Sequence, residues 1–139
     1  DVFKGIIACL LGYFLLGNDG LMSAGIGAII GHNWPLYFKF KGGKGVLTSF
    51  AVVIMIDWKV SLILLAVFII TVAISRYISL GSLLSAVAFP VAAFIHNGND
   101  KLYVTIALIL AILVVIRHRT NIKRIFNGSE SKFGKKKAA

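Results

Sequence analysis

The sequence predicts an all-α membrane protein: one integral membrane domain over residues 1–139, a polytopic helix bundle with six transmembrane segments. Composition is the first observation behind that prediction. Hydrophobic residues make up 58% of the chain and charged ones 14%, with a mean hydropathy of +0.90. Soluble domains average about 45–50% apolar and about 25% charged residues. The second observation is that the apolar residues fall into six runs with almost nothing polar between them, which leaves no face for water. The third is that the cations cluster at alternate ends of those runs.

The first run covers 2–17 and stops at Gly17-Asn18-Asp19-Gly20. Its Cys9 is the only cysteine, which excludes an internal disulfide and a cysteine metal cluster. The second run, 21–34, carries Ser23, Gly27 and Gly31 at four-residue spacing, a small-residue stripe that lets membrane helices approach closely. Gly25-x-Gly27 is not a dinucleotide fingerprint, because no strand precedes it and no third glycine follows in register. Trp34-Pro35 ends this run, since a residue before proline is pushed out of the α region. The third run, 45–57, leads through Asp57-Trp58-Lys59 to the fourth, 60–75, and Arg76-Tyr77 separates that from the fifth, 79–95. Pro90 is expected to kink the fifth helix. After Asn97-Gly98-Asn99-Asp100 the sixth run covers 102–117 and leaves the membrane as Ile116-Arg117-His118-Arg119-Thr120-Asn121-Ile122-Lys123-Arg124. Each run is shorter than the ~20 residues that cross a bilayer comfortably, so tilt or local thinning must absorb the difference. Trp34, Tyr37, Trp58, Tyr77 and Tyr103 lie near run ends, where interfacial aromatics sit.

Orientation follows from the cations. With the Lys39–Lys44 passage inside, the cytoplasmic side receives thirteen of the fifteen Lys and Arg residues, and Lys59 and Lys101 alone stay outside. The carboxyl tail is then cytoplasmic. The net charge of +10 belongs to this pattern rather than to nucleic-acid binding. The chain opens at Asp1 with no signal-peptide layout and reads as a fragment or a processed chain.

Two polar passages meet on the cytoplasmic side. The first is Lys39-Phe40-Lys41-Gly42-Gly43-Lys44-Gly45-Val46. A glycine turn feeding a helix start gathers unpaired N–H donors at the positive end of the helix dipole, which favours phosphate. It is not a nucleotide P-loop, since Lys44 is followed by Gly45 instead of Ser or Thr. A plain positive-inside anchor is the competing reading of this passage. The second passage is Arg117–Arg124, in which His118 and Asn121 are three apart and share a helix face. Binding to anionic headgroups is its competing reading. Ser79 and Ser82 open the fifth helix at the same level.

The acids narrow the chemistry. Asp19, Asp57 and Asp100 all fall on the outer side, so no inward carboxylate pair serves acid–base work or a magnesium site. No His-x-x-x-x-Asp motif is present: the fifth residue after His32, His96 and His118 is Tyr37, Lys101 and Lys123. Cation and N–H chemistry on phosphate is what remains. A small cationic membrane protein that binds or transports anions is the rival class, but a carrier needs polar groups at mid-helix depth, where only Thr71 and Ser85 stand.

Gly31-His32-x-Trp34-Pro35, the lysine–glycine passage, Arg117-His118-x-x-Asn121-Ile122-x-Arg124 and Gly128-x-Glu130-x-Lys132-Phe133 together resemble the bacterial acyl-phosphate:glycerol-3-phosphate acyltransferases. The resemblance implies a seven-helix, metal-free and cofactor-free enzyme of the bacterial cell membrane. It would move a fatty acyl group from acyl phosphate to the sn-1 hydroxyl of glycerol 3-phosphate, giving lysophosphatidic acid and phosphate. It implies catalytic roles for His118, Asn121, Lys44 and Ser82, and phosphate binding by His32, Lys41, Gly42, Gly43, Lys44, Gly45, Val46 and Arg117. Nothing here matches that family's first helix or its Ser/Gly/Asn-rich loop, so the chain reads as six of the seven helices.

Overall fold

The computed structural model describes residues 1–35 and 43–135. Lys39, Lys41 and Gly42 of the expected phosphate loop lie outside the described residues, as do Lys136 and Lys137. The regular structure is helical throughout: α1 (Val2–Asn33), α2 (Val46–Ile56), α3 (Trp58–Ser75), α4 (Ile78–Asn97), α5 (Lys101–Arg117) and α6 (Arg119–Phe126).

Helix α1 is a hairpin of two antiparallel arms. The chain leaves helical geometry at Leu16 and at Gly17, whose φ of 63° needs a residue without Cβ. Beyond that turn the arms touch backbone to backbone. A Cβ on Gly12 would strike the Gly20 carbonyl oxygen, and one on Gly20 would strike that of Gly12. Cys9 Sγ lies 3.2 Å from where a Gly25 Cβ would stand, and at the open end Asp1 Oδ1 reaches His32 Nδ1 at 3.3 Å. The two arms correspond to the first two apolar runs of the sequence.

The small-residue stripe is corrected by this geometry. Among the described residues nothing lies within 4 Å of a Cβ placed on Gly27 or Gly31, and Ser23 is exposed. The close approaches use Gly12, Gly20 and Gly25 instead, on the face that also buries Leu21, Met22 and Ile29. A Cβ on Gly25 would stand 2.5 Å from the Val52 side chain of α2, so the hairpin docks on α2 through this glycine.

The remaining corners are capped locally. Asp57 accepts bonds from Lys59 N and Val60 N, both at 3.1 Å, and starts α3. Asp100 accepts from Tyr103 N at 3.0 Å and starts α5. Gly81 lets α4 close on Phe68 and Val72 of α3. Tyr103, expected at the interface, is buried in the core instead. Its ring meets Phe89 edge-on, and its hydroxyl donates to Asp57 Oδ2 at 2.9 Å, which satisfies its polar tip inside the bundle.

The last apolar helix does not run straight through to Arg124 as expected. It breaks at His118, and α6 turns 58° away from α5. Continuing straight would carry Arg119 and Lys123 on up the bundle axis. The bend sets them at the surface and turns Asn121 inward.

Helices α3 and α4 are long and apolar enough to cross a membrane; α1 reaches that length only when its two arms are counted together, and α5 only when counted with α6 across the bend. Large apolar side chains such as Phe14, Ile74 and Ile95 point outward, as they do in a protein whose solvent is lipid. If the Gly12–Gly20 contact closes the hairpin, Gly12→Ala overpacks it and lowers stability by about 1–3 kcal/mol. Gly27→Ala, with open space around it, should match or slightly exceed the wild type. Thermal unfolding in detergent compares the two, and equal melting of both variants would remove the contact from the account.

Candidate active site

Three helix ends converge at one level of the bundle: the start of α2, the start of α4 and the α5–α6 break. Gly45 precedes α2 with φ 68°, which turns the chain into the helix and leaves the first-turn N–H groups facing the loop. Asn33, buried at the end of α1, presses its Oδ1 against Gly45, where any Cβ would collide with it. That oxygen has no hydrogen-bond partner among the described residues. Lys44 beside it is exposed.

Gly43 is held from two sides. A Cβ there would stand 2.7 Å from His32 Nε2. From the other side Arg117 of α5 donates through Nε at 3.2 Å and Nη2 at 2.8 Å to the Gly43 carbonyl oxygen. The same guanidinium lies 5.3 Å from the Trp34 ring. His32 and Arg117, both expected around phosphate, therefore grip the loop itself, and Arg117 ties the end of α5 to the entry of α2.

His118 is buried at the break. Its Nδ1 lies 2.9 Å from the Val114 carbonyl oxygen, so Nδ1 carries the proton and Nε2 is the basic nitrogen. Burial lowers the His118 pKa, and the nearby Lys44 and Arg117 charges add to that; the Val114 bond and Glu130 oppose it only in part. The imidazole is neutral at pH 7.

Asn121 faces the same interior but is wired to a carboxylate. Its Nδ2 donates to Glu130 Oε1 at 2.6 Å, Ser79 Oγ donates to the same oxygen at 2.7 Å, and Arg124 Nε donates to Oε2 at 2.7 Å. Burial alone would raise the Glu130 pKa, but the bonds from Arg124, Ser79 and Asn121 and the Arg124 charge bring it from the usual 4.5 down to about 2. Gly128, at φ 70°, turns the tail back so that Glu130 can reach this pocket, and Phe133 N then donates to the Arg76 carbonyl at 2.6 Å. Of the two serines at the start of α4, Ser79 is thus the one joined to the polar cluster. Ser82 Oγ bonds the Ile78 carbonyl of its own helix at 3.1 Å. Residue types alone did not single out Glu130 or Asn33, and placed Ser79 only beside Ser82 at the start of its helix. The glycine two residues before Glu130 was the available sign of a returning chain.

Directly beneath this level, an apolar cleft of about 270 Å³ runs between α2, α3, α4 and α5. Val46, Ser82 and Val114 line it, within four residues of the polar residues Lys44, Ser79 and His118 respectively. A cationic, N–H-rich end thus stands directly above an apolar slot.

The family model described as glycerol-3-phosphate acyltransferase matches residues 1–128. A glycerol-3-phosphate acyltransferase of Thermoanaerobacter sp. (strain X514) is 44% identical over 136 residues, covering 98% of this chain and 68% of that protein. The enzyme of the same description from Shouchella clausii is 44% identical over 146 residues, covering 99% and 70%. The crystal structure of PlsY (YgiH), an integral membrane glycerol 3-phosphate acyltransferase, in its glycerol 3-phosphate form superimposes with a TM-score of 0.89 at 33% identity over 96% of this chain and 68% of that one. Its lysophosphatidic acid form gives 0.88 at the same identity. The chain belongs to the glycerol-3-phosphate acyltransferase family, and it is an acyltransferase of membrane phospholipid synthesis.

The Glu130 clasp makes a prediction about pH. Because its folded pKa is lowered, its stabilisation is fully present above the ordinary carboxylate range and is lost as pH falls from about 4.5 towards about 2. Glu130→Gln should cost about 1–3 kcal/mol at pH 7, since its amide must turn a donor towards Ser79 and Asn121 or towards Arg124. Melting temperature against pH should fall below pH 4.5 in the wild type and lose that component in the variant. Parallel curves offset by nothing would show that the carboxylate is not clasped.

Proposed function

We propose that the protein transfers a fatty acyl group from acyl phosphate to the sn-1 hydroxyl of glycerol 3-phosphate, releasing lysophosphatidic acid and phosphate. The observation that carries this reading is the junction of the phosphate-gathering end with the apolar cleft. Acyl phosphate has that same shape, an anionic head on a hydrocarbon tail. Being a mixed anhydride it is already activated, so no carboxylate nucleophile is required, and among the described residues Glu130 is fully engaged as a clasp.

In this reading the Gly43–Val46 passage, Lys44 and the unpaired N–H groups of α2 hold a phosphate, with Lys41 and Gly42 continuing the loop. The tail lies along Val46, Phe50 and Val114. The hydroxyl of glycerol 3-phosphate attacks the acyl carbon, the bond to the bridging phosphate oxygen breaks, and the hydroxyl proton ends on the departing phosphate. His118 suits the transfer of that proton, since its Nε2 is unprotonated and its pKa is lowered. Asn121, held by Glu130, offers its buried Oδ1, which has no partner among the described residues, to a substrate hydroxyl. Ser82 stands at the junction of head and tail. Charge stabilisation on leaving phosphate and proximity supply the rate. The cation distribution supports six crossings with the site and the tail in the cytoplasm.

The transporter alternative gains nothing from the interior. Thr71 and Ser85, the two candidates that the sequence offered at depth, bond helix carbonyls at Val67 and Leu64.

In native membranes, phosphate should be released from palmitoyl phosphate only when glycerol 3-phosphate is present, with acyl-CoA inert as donor and chelators without effect. Gly43→Ala should be severely damaging although it removes no charge, because in this reading a Cβ there both displaces the His32 ring and blocks the approach of the phosphate to the loop. Lys44→Ala should lose roughly 1.5–3 kcal/mol of transition-state binding, while Lys135→Ala, on the exposed tail, should leave the rate unchanged. Turnover with acyl-CoA, or full activity of folded Gly43→Ala, would sink this reading.

A further inference from the structure

The apolar cleft contains three serine hydroxyls, and they are not equivalent. Ser82 Oγ bonds the Ile78 carbonyl and Ser85 Oγ bonds the Leu64 carbonyl at 3.0 Å. Ser49 Oγ is buried and has no hydrogen-bond partner among the described residues. A buried hydroxyl without a partner is destabilising, so its presence in an otherwise apolar slot calls for a partner that arrives with a ligand.

Its position indicates which atom that partner is. Ser49 N donates to the Gly45 carbonyl at 2.7 Å, so Ser49 lies one helical turn beyond the glycine loop. Val46, Ser49, Phe50 and Val53 share the cleft face at i, i+3, i+4 and i+7. The Cα–Cβ bonds of a helix tilt towards its N-terminus, which sets the Ser49 side chain over the turn that begins at Val46, on the phosphate side of its own Cα. A ligand whose phosphate sits at Gly43–Val46 and whose chain fills the cleft must carry its acyl carbonyl between the two.

Resting on the function proposed above, we infer that Ser49 is a further catalytic residue, which donates its hydroxyl proton in a hydrogen bond to the acyl carbonyl oxygen. When the glycerol 3-phosphate hydroxyl attacks, the carbonyl π electrons move onto that oxygen. The Ser49 bond strengthens as the oxyanion forms and weakens as the carbonyl returns and the phosphate leaves with its bonding pair. Ser49 itself exchanges no proton and forms no covalent bond, so the stoichiometry is unchanged. In water-poor surroundings a donor aimed at developing charge has a large effect on rate.

Two variants test this in membranes containing the full-length protein. Ser49→Ala should lower kcat about 100-fold, with KM for glycerol 3-phosphate within twofold of the wild type. Its melting temperature should be equal or higher, since an unpartnered hydroxyl is removed. Ser49→Thr should recover most of the rate. The carbonyl stretch of a bound acyl phosphonate, which cannot transfer its chain, should lie at lower frequency in the wild type than in Ser49→Ala. An active wild type with Ser49→Ala within twofold of it, or an unshifted carbonyl stretch, would overturn the role of Ser49 and leave the overall function standing. A wild type unable to release phosphate from acyl phosphate would overturn the function itself, and this inference with it.

Discussion

The carboxylate of Glu130 is the interaction on which the geometry of the site depends. It accepts bonds from α4 through Ser79 and from α6 through Asn121 and Arg124. Without it α6 would have little to hold it at its angle, because an eight-residue helix that carries three cations and no acid is marginal by itself. The bend at His118, the inward face of Asn121 and the return of the tail to Arg76 all follow from that single buried anion. Its charge is tolerable there because the hydrogen bonds and the Arg124 guanidinium offset the loss of solvation.

A second tie, between Arg117 and the Gly43 carbonyl, carries the same order across the bundle to the glycine loop. The two ties leave the N–H groups at the start of α2 and the Nε2 of His118 on one side of a narrow apolar slot. In the proposed function the site combines features that seldom coexist: fixed donors for phosphate, a neutral imidazole, and a low-dielectric cleft in which those donors act strongly. Chemistry on a preactivated acyl donor suits such a place, since it calls for positioning and charge stabilisation more than for a strong nucleophile.

Much of this was legible from residue types. Six apolar runs separated by glycine, aspartate and cationic breaks forecast the helical segments, because propensity and solvent preference point the same way in a membrane. Gly45 before an apolar start forecast the α2 entry, and the Arg117–Asn121 passage forecast the polar end of α5. What could not be read was which small residues touch. Gly27 and Gly31 have the regular spacing, but Gly12 and Gly20 make the contact, because the turn at Gly17 decides which faces meet. Long-range pairing hid the rest: Glu130 and Ser79 are 51 positions apart and Arg117 and Gly43 are 74, and no local pattern connects them. Tyr103 looked interfacial because its acceptor, Asp57, comes from a different corner of the bundle.

The central claim is that one ligand bridges the two halves of the site, its phosphate at the loop and its chain in the cleft. A structure of the protein with a long-chain alkyl phosphonate tests this directly. The account predicts the phosphonate oxygens on the N–H groups of Gly45–Leu47 and on Lys44, with the chain running down between α2 and α5 past Val114. A chain lying on the outer, lipid-facing surface, or a phosphonate held by the α6 and tail cations away from the glycine loop, would contradict it.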